Sequence, residues 1–362
     1  MTGPLRSIHH GSPQRVVFGP QTVDEVPALV RELGARHVLV VSSAGRVSSD
    51  SGGRLIQRLG RVVAGVFDRT VPHVPTSVVQ AAVTEARSLG VDGVVSFGGG
   101  ACADLAKAVC WFIERESGNA LAHVSVPTTY AGASLTPRFA MTDPSTKRTS
   151  GAEGAGLAPG AVVFDPVITL ETPAAISAES GMAALLHGIE CAWSATRSPE
   201  AEVLALACVR EVAASLPDVI DDPFDIDARA RMLRASVLGG RALLNAVPGA
   251  GHGLAELVAG RAGIGHGLAC AVVLAHAVRF TADAVPDDAA RIGDALGDPE
   301  DPSGAVDRLR ERLGIPASLA DCGVRLEDID AVARMSLGNP AVSANPRPVS
   351  EDDARTILAA AF

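Results

Sequence analysis

The sequence predicts an α/β N-terminal domain over residues 1–165 and an all-α C-terminal domain over residues 166–362. In the first part, short β-branched runs alternate with helical stretches of about 10–15 residues, which is the pattern of a parallel, doubly wound sheet. In the second part only the periodicity of amphipathic helices remains, interrupted by Pro and Gly. A length of 362 residues also indicates about two domains, at roughly 100–200 residues each.

The elements of the first domain follow one another in a regular order. Short runs rich in Val predict strands at residues 15–19, 37–43, 61–67, 92–100 and 123–129. Amphipathic stretches between them predict helices at residues 23–34, within 48–60, at 75–90 and at 103–116. Residues 165–173 are interpreted as a loop, and helical stretches then run from residue 177 to Phe362.

The composition limits the classes of protein to consider. Hydrophobic residues make up 47% of the chain and charged residues 20%, which is typical of a folded globular protein. The net charge of −10, without a basic stripe, argues against a nucleic-acid partner. No signal peptide opens the sequence and no apolar run predicts a membrane span, so we expect a cytoplasmic protein without a membrane partner. Scattered cysteines without a CxxC pair predict reduced thiols, at Cys102, Cys110, Cys191, Cys208, Cys270 and Cys322.

A glycine run joins one of the predicted strands to the following helix. Gly98, Gly99 and Gly100 would let the backbone approach a phosphate, and the helix N-terminus would offer free N–H groups. A plain tight turn is an equally good interpretation of the same residues. Asp104 and Lys107 fall on the helix, where a solvated helix face is their simplest interpretation.

A second polar segment follows the next strand. Pro127 restricts the backbone, and the hydroxyls of Thr128 and Thr129 could contact a ligand at the strand end. Ligands of open α/β sheets bind at the carboxyl ends of the strands. The segment follows one helix after the glycine run, which favours a shared nucleotide crevice over an ordinary Thr-rich turn.

Three of the nine histidines stand out by their surroundings. His187 lies on a predicted helix, and His252 and His266 lie fourteen residues apart among glycines. Three imidazoles in one site could ligate a divalent metal such as Zn or Fe(II). Each histidine alone is as well interpreted as an interior residue with satisfied hydrogen bonds, and their spacing leaves both interpretations open.

These motifs together resemble a known family. GGGACADLAK (98–107) resembles the cofactor loop of iron-containing alcohol dehydrogenases, and PTTYAGASLTP (127–137) resembles their second cofactor segment. SGMAALLHGIE (180–190) and the C-terminal NPRPVSEDDARTILAAAF resemble the maleylacetate reductase branch. The resemblance extends over essentially the whole chain. It implies a Rossmann-like N-terminal domain and a helical C-terminal domain, as in the dehydroquinate synthase-like fold, and we expect a homodimer.

The resemblance implies a role for each matched position. Gly98, Gly99 and Gly100 would wrap the pyrophosphate of NAD(H) or NADP(H), with Asp104 nearby. The hydroxyls of Thr128, Thr129 and Thr136 would line the path of the nicotinamide and ribose, with Lys147 close to the ribose. The helical domain would carry the substrate and metal positions, facing the nicotinamide across an interdomain cleft. The histidine ligands of metal-dependent relatives correspond to His187, His252 and His266.

The sequence departs from the family pattern at several of these positions. The carboxylate ligand of the family falls on Ala183, four residues before His187, where maleylacetate reductases have Asn. Three neutral histidines hold Fe(II) poorly, whereas a Zn site remains open to them. A family histidine is replaced by Glu256, the Ser of the glycine loop by Ala101, and an acidic residue of the second segment by Ser134.

The leading hypothesis is hydride transfer from NAD(P)H to a small unsaturated keto acid, as in maleylacetate reductases. The developing enolate charge would be stabilised by the three imidazoles, with or without a metal, and Glu256 could hold or relay a proton. Arg138 and Lys147 could pair with the carboxylates of the substrate.

Two alternatives and one ambiguity remain at this point. The substitutions at 183 and 256 could mark a non-redox dehydratase, cyclase or lyase on the same fold, or a catalytically inactive binding subunit. The sequence does not show whether the cofactor is NADH or NADPH. The second strand ends in Ser42 and Ser43 with Arg46 nearby, which would tolerate a 2′-phosphate without requiring it.

Overall fold

The computed structural model describes residues 11–362. They form two compact units, Ser12–Pro173 and, together with Gly11, Ala174–Phe362. The predicted boundary between residues 165 and 166 falls slightly earlier, at the start of a short helix that stays with the first unit. The N-terminal stretch that was interpreted as lacking a signal peptide lies largely in residues 1–10, outside the described residues.

The strands of the first unit are β1 (Arg15–Phe18), β2 (Val38–Val41), β3 (Val63–Phe67), β4 (Gly93–Gly98), β5 (Ala122–Pro127), β6 (Arg138–Asp143), β7 (Arg148–Glu153) and β8 (Ala161–Phe164). Six of them form one sheet in the order β1-β8-β5-β4-β2-β3, with every pair parallel. This confirms the predicted parallel, doubly wound sheet. The helices are α1 (Val26–Glu32), α2 (Ala44–Val47), α3 (Asp50–Leu59), α4 (Thr76–Ser88), α5 (Gly100–Ser117) and α6 (Pro166–Thr169).

The two faces of this sheet are buried under helices on both sides. Successive residues of a strand point to opposite faces, so Leu39 and Val41 pack in one core and Val38 and Val40 in the other. The first core includes residues of α4 and α5, and the second includes residues of α1 and α3. Burial on both faces explains why these strands consist of nearly continuous apolar residues.

Three elements differ from the sequence-based expectation. β6 and β7 form an antiparallel pair whose residues are mostly polar or small, so no alternating apolar pattern revealed them. β8 was likewise not anticipated as a separate strand. The interpretation of residues 165–173 as a loop is wrong for their first part, because α6 begins there. Asp165 caps α6 by accepting the N–H of Val167 at 2.9 Å, and Pro166 occupies the first helical position.

The second unit consists of helices, which confirms the all-α prediction. They are α7 (Ala174–Trp193), α8 (Pro199–Asp221), α9 (Ile226–Ala242), α10 (Ala250–Ala262), α11 (His266–Ala282), α12 (Pro286–Leu296), α13 (Pro302–Arg312), α14 (Leu326–Ser336), α15 (Pro340–Ser343) and α16 (Glu351–Ala360). α7 is the central helix and is buried along most of its length. Its Gly181 and Gly188 allow close approach of α8, since a Cβ at Gly188 would lie 2.9 Å from Val209. Among the described residues, no helix is both long and apolar enough to cross a membrane.

Candidate active site

The glycine run forms the junction between β4 and α5. Gly98 ends the strand with φ of 147°, a conformation that residues with a side chain rarely adopt, and a Cβ there would lie 2.5 Å from the Cys102 sulfur. Gly99 is the N-cap of α5 and has no side chain to bond the first turn. An uncapped helix N-terminus with close backbone access is suited to an anion such as a phosphate.

The polar pair that follows the glycines is not a solvated helix face, so the simplest interpretation of the sequence is wrong here. The Lys107 side chain is completely buried and forms an ion pair with Asp104 at 3.2 Å. Its ammonium also donates to the carbonyl oxygens of Ala133 at 2.8 Å and Arg138 at 2.6 Å. Burial lowers the pKa of Lys107, and the adjacent carboxylate opposes that shift. Lys107 therefore anchors α5 to the turn before β6.

The two threonines of the second segment lie beside the glycine run. The N–H of Thr128 donates to the carbonyl of Gly98 at 2.9 Å, because the strands β4 and β5 end side by side. A Cβ placed on Gly99 would lie 3.2 Å from the Thr129 methyl group. Thr136 is buried, and its hydroxyl donates to Ala133 at 3.0 Å. The structure thus brings Thr128 and Thr129 to the glycines and places Thr136 next to the turn that Lys107 anchors.

The other residues considered for cofactor contacts lie elsewhere in the first unit. Lys147 is exposed in the turn between β6 and β7, with φ of 55°. Ser42 is buried and donates to the carbonyl of Phe97 at 2.6 Å, so it is not available to a 2′-phosphate as the sequence suggested. Arg46 contacts Thr172 and lies 3.7 Å from the Glu171 carboxylate.

A chain of buried hydroxyls includes Ser134, the position at which the family resemblance implies an acidic residue. The Ser125 hydroxyl donates to Ser134 at 2.9 Å, and Ser96 donates to Ser125 at the same distance. Ser96 also bonds the His123 ring at 2.9 Å. Burial, and to a lesser extent the charge of Lys107, lowers the pKa of His123 to about 3. A neutral histidine and three hydroxyls therefore form an uncharged hydrogen-bonded chain beneath this segment.

In the second unit, the three histidines singled out in the sequence come together. His187 is buried on α7, His252 lies in the first turn of α10, and His266 begins α11. Their candidate ligand nitrogens all lie within 4.8 Å of one another. The ring centroids are 5.2 Å apart for His187 and His252, and 5.5 Å apart for His252 and His266. We call these three residues the histidine cluster.

The donor set of the histidine cluster fits zinc better than iron. Three imidazoles with one open position are the ligand set of some catalytic zinc sites. In a tetrahedral site with Zn–N distances of about 2.0–2.1 Å, the nitrogens would lie about 3.3–3.4 Å apart, so they would have to approach one another from separations of up to 4.8 Å. Ala183 is completely buried one helical turn before His187 and offers no donor atom. Without a carboxylate, the cluster lacks the negative charge that favours a hard divalent ion such as Fe(II).

Two further groups lie close to the histidine cluster. Glu256 follows His252 by one turn of α10 and accepts a hydrogen bond from Asn339 at 3.4 Å. The Cys270 sulfur lies 3.4 Å from the Nε2 atom of His266. Burial, with added repulsion from nearby carboxylates, raises the pKa of the Cys270 thiol, so it stays protonated.

Sequence reasoning missed Cys270 and also Glu190, a buried carboxylate on α7. Glu190 accepts backbone hydrogen bonds from the first turn of α10, the turn that carries His252. Burial raises the pKa of Glu190 to about 7, although these hydrogen bonds oppose the shift. Two features of the sequence could have pointed to Glu190. It follows His187 by three residues on the same helix, and glycines that leave room for a buried side chain stand next to His252.

Comparison with known proteins places this geometry in a family. Residues 13–166 match the iron-containing alcohol dehydrogenase family model, and residues 177–362 match the C-terminal model of the same family. The chain belongs to the iron-containing alcohol dehydrogenase family. It is 35% identical to maleylacetate reductase 2 of Cupriavidus pinatubonensis, across 100% of this chain and 98% of the relative.

Solved structures agree with this assignment. A maleylacetate reductase from Agrobacterium tumefaciens superposes with a TM-score of 0.87 at 31% identity, covering 99% of this chain and 98% of the other. Sulfoacetaldehyde reductase from Bifidobacterium kashiwanohense, solved in complex with NAD+, superposes with a TM-score of 0.87 at 25% identity, covering 98% of each chain. The family member described here is an oxidoreductase of the maleylacetate reductase-like type, and its relatives do not favour the non-redox alternative.

Proposed function

We propose that this enzyme reduces the conjugated C=C bond of a small unsaturated keto acid, with maleylacetate as the first substrate to test, using NADH or NADPH. The observation that carries the proposal is the full-length similarity to maleylacetate reductases, at 35% identity for one of them. The histidine cluster, in which Ala183 stands at the family's carboxylate position, is consistent with a reductase that does not depend on iron.

The cofactor would bind at the start of α5. The uncapped N-terminus at Gly99 and the close approach allowed by Gly98 suit the pyrophosphate, with Gly100 opening the helix. As the family resemblance implies, Thr129 would contact the nicotinamide half and Lys147 would contribute to the same path. Thr128 and Thr136 are buried and would line this path from within the fold. The NAD+ bound to the sulfoacetaldehyde reductase relative supports a nicotinamide cofactor for this chain.

The chemical step would transfer a hydride from the nicotinamide to the alkene carbon remote from the keto group. The alkene electron pair then forms a new C=C bond to the carbonyl carbon, and the carbonyl pair moves onto the keto oxygen to give an enolate. The imidazoles of His187, His252 and His266 would donate hydrogen bonds to this enolate oxygen. A proton is then added to the carbon next to the carbonyl, and a protonated Glu256 is a candidate to supply it. Arg138 and Lys147 remain candidates for pairing with the substrate carboxylates.

A divalent metal remains compatible with this scheme. His187, His252 and His266 would hold it, and Zn²⁺ would act as a Lewis acid toward the keto oxygen. A homodimer, expected from the sequence, stays a prediction that light scattering after gel filtration would test.

The decisive experiment follows NADH and NADPH absorbance in the presence of maleylacetate, with chelator-treated and Zn²⁺-supplemented enzyme. We expect turnover in both preparations, and a loss of at least about 100-fold in the His252→Ala variant, as for removal of one key donor. Tight nucleotide binding without turnover would overturn the proposal in favour of non-redox chemistry. Absence of nucleotide binding would instead indicate a binding subunit.

A further inference from the structure

A buried polar junction joins the three helices that carry the histidine cluster. The Glu190 carboxylate on α7 accepts the backbone N–H groups of Gly249 at 2.9 Å, Gly251 at 2.6 Å and His252 at 2.9 Å. Its side chain is almost completely buried. Asn345 accepts the one intervening N–H, that of Ala250, at 3.0 Å.

The same junction extends to the third helix. The Asn345 amide donates to the Thr281 hydroxyl on α11 at 3.1 Å and to the carbonyl of Arg347 at 2.8 Å. Because His266 is the first residue of α11, each of the three histidines lies on a helix that meets this junction. Four consecutive N–H groups at the start of α10 are thus satisfied by side chains from outside that helix.

The two glycines that precede His252 are explained by the position of Glu190. A Cβ on Gly251 would lie 2.8 Å from a carboxylate oxygen of Glu190, and a Cβ on Gly249 would lie 3.2 Å from the same oxygen. Only residues without a side chain leave room for the carboxylate against the backbone of α10. The sequence immediately before His252 is therefore shaped to receive Glu190, beyond what forming a helix requires.

We propose that Glu190 is a positioning residue, which holds His252 against His187 by binding the N-terminus of α10. Glu190 follows His187 by three residues on α7, so one helix presents the first imidazole directly and fixes the second through the backbone. Ala183, one helical turn before His187, provides no polar group that could orient the cluster. The kinetic consequence of this proposal rests on the proposed reductase function, whereas its structural consequence does not.

The experiment compares Glu190→Gln with Val258→Ala, a core change on α10, the helix that carries His252, which leaves the junction intact. Gln retains the size of Glu but offers one acceptor oxygen where Glu offers two. We expect Glu190→Gln to lower kcat for maleylacetate by about 10–100-fold, as for residues that orient ligands, with the KM for NADH changed less than about threefold. We also expect the NMR signals of the His252 ring nitrogens, assigned with His252→Gln, to shift in Glu190→Gln and to stay in place in Val258→Ala.

Equal kinetic losses in the two variants, with an unmoved His252 signal, would overturn the proposal and leave Glu190 with a stabilising role only. If the wild-type enzyme does not reduce maleylacetate, the proposed function fails, and the NMR comparison alone decides the role of Glu190. If Glu190→Gln does not fold, Gly251→Ala replaces it, because its added methyl group displaces the carboxylate without removing the charge. An unmoved His252 signal in that variant would equally contradict the proposal.

Discussion

The sharpest test of whether the histidine cluster can hold a metal ion is to introduce a carboxylate at position 183. The change is Ala183→Asp, one helical turn before His187 at a position that is completely buried. In the metal-free protein this carboxylate has no cation to pair with, and burying such a charge costs several kcal/mol. We therefore expect the metal-free variant to melt well below the wild-type protein.

Zinc should reverse this loss. The new carboxylate would complete the ligand set with His187, His252 and His266, and we expect Zn²⁺ to bind at least about tenfold more tightly than to wild type, which corresponds to about 1.4 kcal/mol. At a Zn²⁺ concentration about 100 times the dissociation constant, binding stabilises the native state by about 2.7 kcal/mol. At about 2–4 °C per kcal/mol, the melting temperature should rise by about 5–10 °C.

The assay is thermal unfolding with and without Zn²⁺, combined with competition against a chelator for the affinity. Ala183→Asn is the matched control, because it has nearly the same volume and no charge. An Ala183→Asp variant that binds Zn²⁺ no more tightly than Ala183→Asn would show that the imidazoles are not arranged to share a metal with position 183. The ligand interpretation of the cluster would then be refuted.

Three further predictions concern other parts of the chain. Gly98→Ala forces a methyl group to within 2.5 Å of the Cys102 sulfur at a φ of 147°, so we expect a stability loss of about 1–3 kcal/mol from backbone strain and weakened NADH binding, measured by chemical denaturation and fluorescence titration. Lys107→Met removes the anchor between α5 and the turn before β6, so the Kd for NADH should rise while the helical circular dichroism signal is retained. The pKa of Asp353 is lowered by its hydrogen bonds from Ser350, so its contribution to stability is present above the ordinary carboxyl pKa and is lost as the pH falls through the lowered value. Ser350→Ala should reduce this acid-side dependence in unfolding curves and cost about 1 kcal/mol at neutral pH, and unchanged curves would contradict the capping role.

The parts of the fold that the sequence predicts are those governed by local patterns. The buried strand β2 is a continuous apolar run, β4 is nearly so, and helices such as α4 keep their buried residues on one side. The hairpin of β6 and β7 escaped prediction because its residues are mostly polar and pair with each other. The short helix α6 could have been recognised from Asp165 followed by Pro166, since that dipeptide is a strong signal for a helix start.

The site was predictable in its residue types and less so in its contacts. The glycine run and the histidines can be recognised in the sequence, because only glycine allows a close backbone approach without a side chain and only histidine offers an imidazole nitrogen. Lys107 was misinterpreted because a charged residue on a helix is usually solvated, and its acceptors are carbonyl groups of Ala133 and Arg138, which no sequence pattern indicates. Glu190 was missed for a related reason, since it binds backbone groups some sixty residues away in the chain.

The backbone contacts at the start of α10 have a consequence for how such a site can change over generations. Because Glu190 and Asn345 bind main-chain N–H groups, the location of His252 does not require a shared metal ion to draw the imidazoles together. A position such as 183 can then carry an Ala, which offers no ligand, without collapse of the neighbouring residues. An architecture of this kind allows one electrophile to be exchanged for another while the imidazoles stay in place.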